Sequence, residues 1–240
     1  MDLFERLLDR IDNEYPQARI VTLGDYMDNG PQIPALLDRL IALQAERPER
    51  FFPILGNHDL ALLCALGWPG DRPDPAWFDR WAARYWNPGG ETPCAYGARD
   101  LASFARAFPP AHARFLAALP WYYDDGEHFC VHAGLRPGPI APQRASLAAK
   151  ELPAYKLHLP PAIRDKTLAT QFDPHWDRFV VSAHTHLPGK PLFSAPQRIC
   201  LSATADHGGG LLALVLPERR GWWTNGGAAV GIDYSFEKTR

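Results

Sequence analysis

The segment Phe51-Phe52-Pro53-Ile54-Leu55-Gly56-Asn57-His58-Asp59 decides which fold this sequence can adopt. Its first five residues form an apolar run, which is typical of a parallel strand buried on both faces. Leu60 to Leu63 begin a helical pattern, so residues 56–59 are predicted to join the carboxyl end of a strand to a helix. Ligands of open α/β sheets bind at such turns. The Asn and Asp could simply cap the helix, whereas His58 can also bind a metal or transfer a proton.

The chain before this segment alternates helices and strands. Apolar residues at helical spacing over residues 3–11 predict a first helix, and Arg19–Leu23 is predicted as a strand that ends just before Asp25. A second helix is expected to begin at Pro31, a favoured position for proline. Crossovers between parallel strands are right-handed, so Asp25 and Asn57 are expected at the same edge of the sheet.

Residues 67–100 interrupt this alternation with many Trp, Pro and Gly residues. A helix is predicted over Ala76–Tyr85 and a loop over Trp86–Gly90. We interpret the segment as an insertion or cap beside the site, within a single domain that covers residues 1–240. Its tryptophans could shape a substrate groove or pack into the core.

The second half of the chain is predicted to be rich in short strands. Asp125-Gly126 is a strong hairpin turn signal. The predicted strands are Trp121–Asp124, His128–Val131, Phe179–Ser182, Ile199–Ser202 and Leu211–Leu216. The last two are expected to pair through a glycine turn and close the sheet, and residues 217–240 are expected to form a peripheral tail.

Composition is that of an ordinary globular protein. Apolar residues make up 46%, charged residues 22%, and the net charge is −2. Neither a nucleic-acid partner nor a membrane is therefore expected, because no basic surface and no apolar run of ~20 residues is present in the sequence. The charged start does not resemble a secretion signal, and the four cysteines lack a C-x-x-C pair. Reduced cysteines in a cytoplasmic protein are predicted.

Four predicted strands are followed within a few residues by side chains that can bind metals: Asp25, Asn57, His132 and His184. Any one of them alone could be an ordinary surface or capping residue. Together, one carboxylate, one amide oxygen and two imidazoles suit Mn, Fe, Zn or Co better than calcium or a thiolate zinc site. Asp25 could bridge two ions, which at ~3.5–4 Å apart would clamp a phosphoryl group and activate a bridging water.

His58 is then predicted to be the general acid that protonates the leaving oxygen. Asp28 lies three residues after Asp25 and can hold the His58 ring in its protonated form. Asp59 is an alternative partner for this ring, although capping the helix explains it better.

These residues resemble motifs of the metallophosphoesterase superfamily (calcineurin-like), in its bacterial serine/threonine phosphoprotein-phosphatase branch. The resemblance spans most of the chain and follows the order of the family's motifs. The matching segments are residues 24–30 with G-D-x-x-D-R-G, 56–59 with G-N-H-[DE], 86–92 with N-G-G-x-x-T, 132–135 with H-A-G-L, 162–165 with W-I-R-[DE] and 183–185 with G-H-T.

The resemblance implies an α/β/β/α sandwich with mixed sheets and two divalent metal ions, either manganese, iron or zinc. It implies that Asp25 bridges the ions and that Asn57, His132 and His184 hold the second one. Arg164 would clamp phosphate through its planar fork. The implied activity is hydrolysis of a phosphorylated protein or small phosphoester, most simply as a serine/threonine protein phosphatase.

Three features depart from the family pattern. The family begins with a strand ending in G-D-x-H-G that binds the first metal; this sequence starts at the next helix, so a first strand is expected to be missing. A misplaced start codon or a truncation explains this better than a true loss. Asn29 replaces the phosphate-binding Arg, which predicts weaker binding of anions. Ser182-Ala183 replaces a glycine before His184, and His186 could bind the first metal or simply be exposed.

Two further hypotheses stay open. A symmetrical dinucleoside tetraphosphate hydrolase would use the same site chemistry. A catalytically inactive relative that acts as a binding module would explain the missing motif and Asn29.

Overall fold

The computed structural model describes residues 2–30, 32–67, 72–85, 91–151, 159–188, 192–202, 210–218, 220–224 and 230–233. The helices are α1 (Asp2–Glu14), α2 (Ile33–Glu46), α3 (Asn57–Ala65), α4 (Pro75–Tyr85), α5 (Glu91–Ala95), α6 (Leu101–Ala107), α7 (Pro110–Ala118), α8 (Ile140–Ala149) and α9 (Pro161–Arg164), with a 3-10 helix over Lys166–Thr170. The strands are β1 (Ile20–Thr22), β2 (Phe51–Pro53), β3 (Tyr122–Asp124), β4 (His128–Val131), β5 (Phe179–Ser182), β6 (Leu192–Ala195), β7 (Arg198–Leu201), β8 (Leu212–Val215), β9 (Arg220–Trp223) and β10 (Val230–Asp233).

Strands β1 and β2 form a parallel pair, with Ile20 opposite Phe51. The predicted parallel arrangement is therefore confirmed, and both strands end at the same edge. The connecting helix α2 begins at Ile33 rather than at Pro31, and Pro34 occupies its first turn. Proline suits this position because the first helical N–H groups have no partner within the helix.

The largest sheet has five strands in the order β3-β4-β5-β7-β6. Its central pairs β4–β5 and β5–β7 are parallel, and its outer pairs β3–β4 and β6–β7 are antiparallel. The predicted hairpin between β3 and β4 is confirmed, and Gly126 in its turn has φ +95°.

The expected pairing of the last two predicted strands is wrong. β7 pairs with β6 across a two-residue turn, whereas β8 pairs with β9 in a separate three-stranded sheet. Each strand thus pairs with a closer neighbour in sequence, which costs less loop-closure entropy. Strand β9 lies in the region expected to be a peripheral tail, but its Trp222 is only 3% exposed and contacts Tyr15, so that expectation fails for residues 220–223.

Side chains of the five-stranded sheet alternate between two cores. Phe129 and Val131 belong to a large core shared with the helices, whereas Cys130 and Val181 pack with Leu212 of β8 on the other face. Period-two alternation explains this division. The predicted α/β sandwich with mixed sheets is confirmed by these layers. None of the described helices combines the length and apolar character that crossing a bilayer requires.

The segment of residues 67–100 adds α4 and α5 to the helical layer. The predicted helix over Ala76–Tyr85 is confirmed, one residue longer at its start. Trp77, Phe78 and Trp81 are buried, and the Trp81 ring lies 5.7 Å from the ring of Phe104. The prediction of core packing is thus confirmed for Trp77 and Trp81. The loop predicted over residues 86–90 lies outside the described residues.

Candidate active site

The loops after β1 and β2 contact each other through their backbones. A Cβ on Gly24 would lie 2.4 Å from the Gly56 nitrogen, and a Cβ on Gly56 would lie 2.2 Å from the Asp25 nitrogen. Only glycine permits so close an approach. Gly24, Asp25, Asp28 and Asn29 all have positive φ, which turns the first loop sharply and directs its carboxylates toward the second.

Asp59 holds these two loops together. Its carboxylate accepts hydrogen bonds from the backbone nitrogens of Asp25 at 2.9 Å, Tyr26 at 3.0 Å and Gly56 at 2.9 Å. The contact with Gly56 caps α3, which begins at Asn57, so the predicted turn over residues 56–59 is largely the first turn of the helix. The capping role of Asp59 is confirmed. Burial, aided by the nearby Asp25 charge, raises the pKa of Asp59 to about 6.

The structure brings together the four side chains predicted as metal ligands. Asp25, His132 and His184 each offer one ligand atom within 4.8 Å of the others. His132 Nε2 lies 3.1 Å from Asp25 Oδ2 and 3.1 Å from Asn57 Oδ1. Two imidazoles, a carboxylate and an amide oxygen therefore converge where the strands β1, β2, β4 and β5 end.

Backbone carbonyls fix the orientation of both imidazoles. His132 Nδ1 donates to the Leu23 carbonyl, and His184 Nε2 donates to the Arg164 carbonyl at 2.8 Å. Because a carbonyl can only accept, each ring presents its other nitrogen to the cluster, where His132 Nε2 faces the oxygens of Asp25 and Asn57. His184 Nδ1 is indeed buried without a hydrogen-bond partner among the described residues. This pattern is typical of histidines that bind metals.

The Asp25 carboxylate has a strong effect on the protonation of its neighbours in the cluster. Burial opposes a positive charge on His132, but Asp25 outweighs it and raises the pKa of His132. Burial would raise the pKa of Asp25, but the His132 and His58 rings lower it. Burial and the neighbouring His132 lower the pKa of His184 to about 4, so His184 is neutral, as metal binding requires. The donor set and its unpaired nitrogen fit a divalent cation.

His58 is the third imidazole near Asp25. Its Nδ1 is 2.8 Å from Asp28 Oδ2, and its Nε2 is 3.8 Å from Asp25 Oδ2. Burial opposes protonation of this ring, but Asp25 and Asp28 outweigh it and raise the pKa of His58 to about 9. His58 can therefore carry a proton at neutral pH, held by Asp28 and directed toward the cluster.

Two residues without a predicted role complete this arrangement. Trp81 Nε1 donates to Asp28 Oδ2 at 2.9 Å, and Thr92 Oγ1 donates to Asp28 Oδ1. Thr92 lies in the motif segment of residues 86–92, so the sequence could have identified it as a candidate site residue. The motif does not show that Thr92 contacts Asp28. Trp81 is 53 residues from Asp28, and no spacing in the sequence connects the two.

A buried arginine donates hydrogen bonds to residues near His132 and His184. Arg198 of β7 is fully buried, and its Nη2 donates to Ser182 Oγ at 2.7 Å and to the Ala133 carbonyl at 3.4 Å. Ser182 lies two residues before His184, and Ala133 directly follows His132. Arg198 was not predicted as a site residue, because it lies just outside the strand predicted over Ile199–Ser202.

The remaining predicted site residues lie at the rim. The Arg164 side chain is exposed, and its carbonyl orients His184. Within the part of the chain that the structure describes, His186 does not belong to the cluster of Asp25 and the two imidazoles, so its role stays a prediction. Asn29 is exposed and has φ +51°, a conformation that asparagine adopts more easily than arginine.

The fold is thus an α/β sandwich whose strand ends carry a candidate cation site, with the imidazole of His58 beside it. The family model for calcineurin-like phosphoesterases matches residues 1–188. The chain belongs to the calcineurin-like phosphoesterase family.

Curated relatives match over a shorter stretch. Symmetrical bis(5'-nucleosyl)-tetraphosphatases of Acidovorax sp. (strain JS42) and Acidovorax ebreus (strain TPSY) are each 42% identical over 64 residues. The match covers 27% of this chain and 21% of the length of each relative.

Solved structures with similar folds cover nearly the whole chain. A serine/threonine phosphatase from Saccharomyces cerevisiae, similar to human PP5, has a TM-score of 0.46 at 11% identity, covering 98% of this chain and 78% of its own. A cold-active protein-tyrosine phosphatase from a psychrophilic Shewanella has a TM-score of 0.46 at 14% identity, covering 95% and 76%.

Proposed function

We propose that this protein is a metal-dependent phosphoester hydrolase of the serine/threonine protein phosphatase type. One observation carries the proposal: the ligand cluster and a protonated histidine share a single carboxylate. Asp25 Oδ2 is 3.1 Å from His132 Nε2 and 3.8 Å from His58 Nε2. A candidate cation site and a proton donor therefore lie beside the same oxygen, as hydrolysis of a phosphoester needs.

In this proposal Asn57, His132 and His184 would hold one divalent cation, and the Asp25 carboxylate would be a ligand shared with a second. Manganese, iron and zinc all suit these ligands, and His186 is a proposed ligand of the second ion. When bound, such cations supply a Lewis acid that polarises phosphoryl oxygens and lowers the pKa of a water molecule.

The chain's own residues perform the proton transfer in this proposal. A bond forms between a water oxygen and phosphorus, and one proton of that water passes to solvent, while the bond from phosphorus to the leaving oxygen breaks; His58 regains a proton from solvent after the step. His58 gives its Nε2 proton to that leaving oxygen, and Asp28 stabilises the ring through Nδ1. Arg164, exposed at the end of α9, is proposed to bind phosphate oxygens through its planar fork.

The buried acid favours phosphoserine and phosphothreonine as substrates. A serine alkoxide is a strongly basic leaving group, so its departure depends on protonation. The leaving group in symmetrical cleavage of a dinucleoside tetraphosphate is a nucleoside diphosphate, which is much less basic and departs more easily without an acid. Pairing His58 with Asp28 at 2.8 Å is therefore most useful for a phosphomonoester of an alcohol.

A second candidate is hydrolysis of dinucleoside tetraphosphates. The observation that favours it is the 42% identity over 64 residues to proteins described as symmetrical bis(5'-nucleosyl)-tetraphosphatases. The same cations and the same acid would serve this reaction.

The test uses purified protein with manganese, a phosphoserine peptide and diadenosine tetraphosphate. We expect phosphate release from the peptide with a higher kcat/KM than cleavage of the tetraphosphate. The reverse ranking would favour the second candidate. If calorimetry shows that manganese binds but neither substrate is hydrolysed, the enzyme proposal fails and a binding module is the better reading.

We also propose a cytoplasmic location. None of the four cysteines, all of which lie in the described part of the chain, forms a disulfide, and three of them are buried, as expected where thiols stay reduced. Cell fractionation would test this, and recovery outside the cytoplasm would overturn it.

A further inference from the structure

The carboxylate of Asp28 is held from two helices that are remote in sequence. Trp81 of α4 donates from Nε1 to Oδ2 at 2.9 Å. Thr92 of α5 donates from Oγ1 to Oδ1 and accepts from the Asp28 backbone nitrogen at 2.9 Å. All three side chains are buried. With His58 Nδ1 at 2.8 Å from Oδ2, the carboxylate has three side-chain partners.

These contacts restrict a torsion that is otherwise loose. The χ2 torsion of aspartate joins sp³ and sp² atoms, so it has broad minima and does not fix the carboxylate plane. Donors on both oxygens fix that plane, and the plane in turn sets the direction of the His58 ring. Asp28 also has φ +62°, so its backbone needs support that Thr92 supplies through the backbone nitrogen.

We propose that Trp81 and Thr92 are positioning residues for the hydrolytic reaction: they fix the Asp28 carboxylate so that the His58 ring directs Nε2 toward the leaving oxygen. The inference rests on the proposed function, because it assigns a purpose to the acid. It makes α4 and α5 part of the reaction machinery, beyond their contribution to the core.

Trp77 provides a matched comparison on the same helix. It lies one turn before Trp81 and is equally buried, at 4% against 3% exposure. Its Nε1 is buried without a hydrogen-bond partner among the described residues. Both indoles pack in the core, but only Trp81 contacts Asp28. Replacing either by phenylalanine keeps an aromatic ring and removes an N–H, so the pair separates packing from positioning.

The first experiment compares leaving groups in Trp81→Phe, Thr92→Val, Thr92→Ser and Trp77→Phe. With phenyl phosphate, kcat is expected to fall about tenfold in Trp81→Phe and Thr92→Val, because a misplaced acid loses part of its contribution. With 2,4-dinitrophenyl phosphate, whose leaving group needs no proton, the fall should stay below about twofold. Thr92→Ser should recover most of the activity lost in Thr92→Val, and Trp77→Phe should behave as wild type.

Equal losses with both substrates, or equal losses in Trp77→Phe and Trp81→Phe, would overturn the proposal and leave a packing role. Thermal unfolding of all four variants shows whether each one folds. The comparison of Trp81→Phe with Trp77→Phe keeps the test decisive if Thr92→Val does not fold.

The second experiment needs no turnover. In cation-free protein labelled with ¹⁵N-histidine, the His58 Nδ1–H resonance is assigned by its loss in Asp28→Asn. We expect Trp81→Phe and Thr92→Val to speed its exchange with solvent, and Trp77→Phe to leave it unchanged. An unchanged resonance in both Trp81→Phe and Thr92→Val would overturn the positioning role even if the enzyme is active. Absence of hydrolysis in wild type would instead refute the proposed function and leave this measurement valid.

Discussion

The two halves of the candidate site differ in how their polar atoms are satisfied. The acid half consists of Asp28, His58, Trp81 and Thr92. The cation half consists of Asp25, Asn57, His132 and His184. In the acid half, both oxygens of Asp28 accept hydrogen bonds from protein donors. In the cation half, His184 Nδ1 is buried without a partner, and two oxygens surround His132 Nε2.

This difference shows what the protein supplies by itself and what it leaves to a cofactor. Protein contacts fully determine the orientation of the acid. The cation half brings several acceptors together, which costs free energy unless positive charge is placed among them. Changes in the cation half should therefore affect cation binding and turnover together, whereas changes in the acid half should affect turnover alone.

The largest effect is expected from Asp25→Asn. The substitution removes the charge that both halves share, so kcat/KM should fall about 10³-fold or more and manganese affinity should fall with it. Calorimetry and phosphate release measure the two quantities. Asp177→Asn is the control, because Asp177 is 71% exposed and pairs only with the adjacent Arg178 among the ion pairs described. Retained manganese affinity in Asp25→Asn would show that Asp25 is not a ligand.

The next effect, about 10²-fold in kcat on the phosphoserine peptide, is expected from His58→Ala. The contact of Asp25 with the backbone nitrogen of residue 58 survives the substitution, so manganese affinity should change less than about twofold. His175→Ala, at an exposed position, is the control. Loss of manganese binding in His58→Ala would contradict the claim that the acid half does not contribute to cation binding.

The side chains that can bind a metal at the strand ends could be predicted from the sequence. Asp25, Asn57, His132 and His184 each follow an apolar strand, and parallel strands bring their carboxyl ends to one edge. The strands β1, β2, β4 and β5 were predicted for the same reason. The four side chains converge because their strands run in parallel, and the alternation of helices and strands in the sequence predicts parallel strands.

The contacts that support these residues could not be predicted. Trp81 and Thr92 reach Asp28 across 53 and 64 positions, through a segment without clear periodicity. Arg198 acts through backbone carbonyls, which no sequence pattern identifies. Strands β6, β9 and β10 were missed because they lie in stretches that contain proline, glycine and charged residues, which predict turns and not strands.

A smaller effect is expected from Arg198→Met, which tests the support of the cation half. Loss of the guanidinium frees Ser182 and the Ala133 carbonyl, so both histidine loops should shift slightly. We expect manganese affinity to fall about tenfold, as for other residues that orient ligands, with the His58 Nδ1–H resonance unchanged. Arg106→Met, at an exposed position of α6, is the control. An altered His58 resonance with normal manganese affinity would contradict the assignment of Arg198 to the cation half.

The smallest effect is expected from Asn29→Arg, which adds a cation beside the acid half. A guanidinium at the loop should bind phosphate oxygens and lower KM by about three- to tenfold while kcat stays constant. Because residue 29 has φ +51°, the longer side chain should cost about 1 kcal/mol of unfolding free energy, measured by urea denaturation. Asn29→Gly is the matched control: it suits the same φ without adding charge, so it should leave KM unchanged. Equal KM values in the two variants would show that charge at this position does not reach the substrate, and that the weaker anion binding predicted for Asn29 does not arise from the missing arginine.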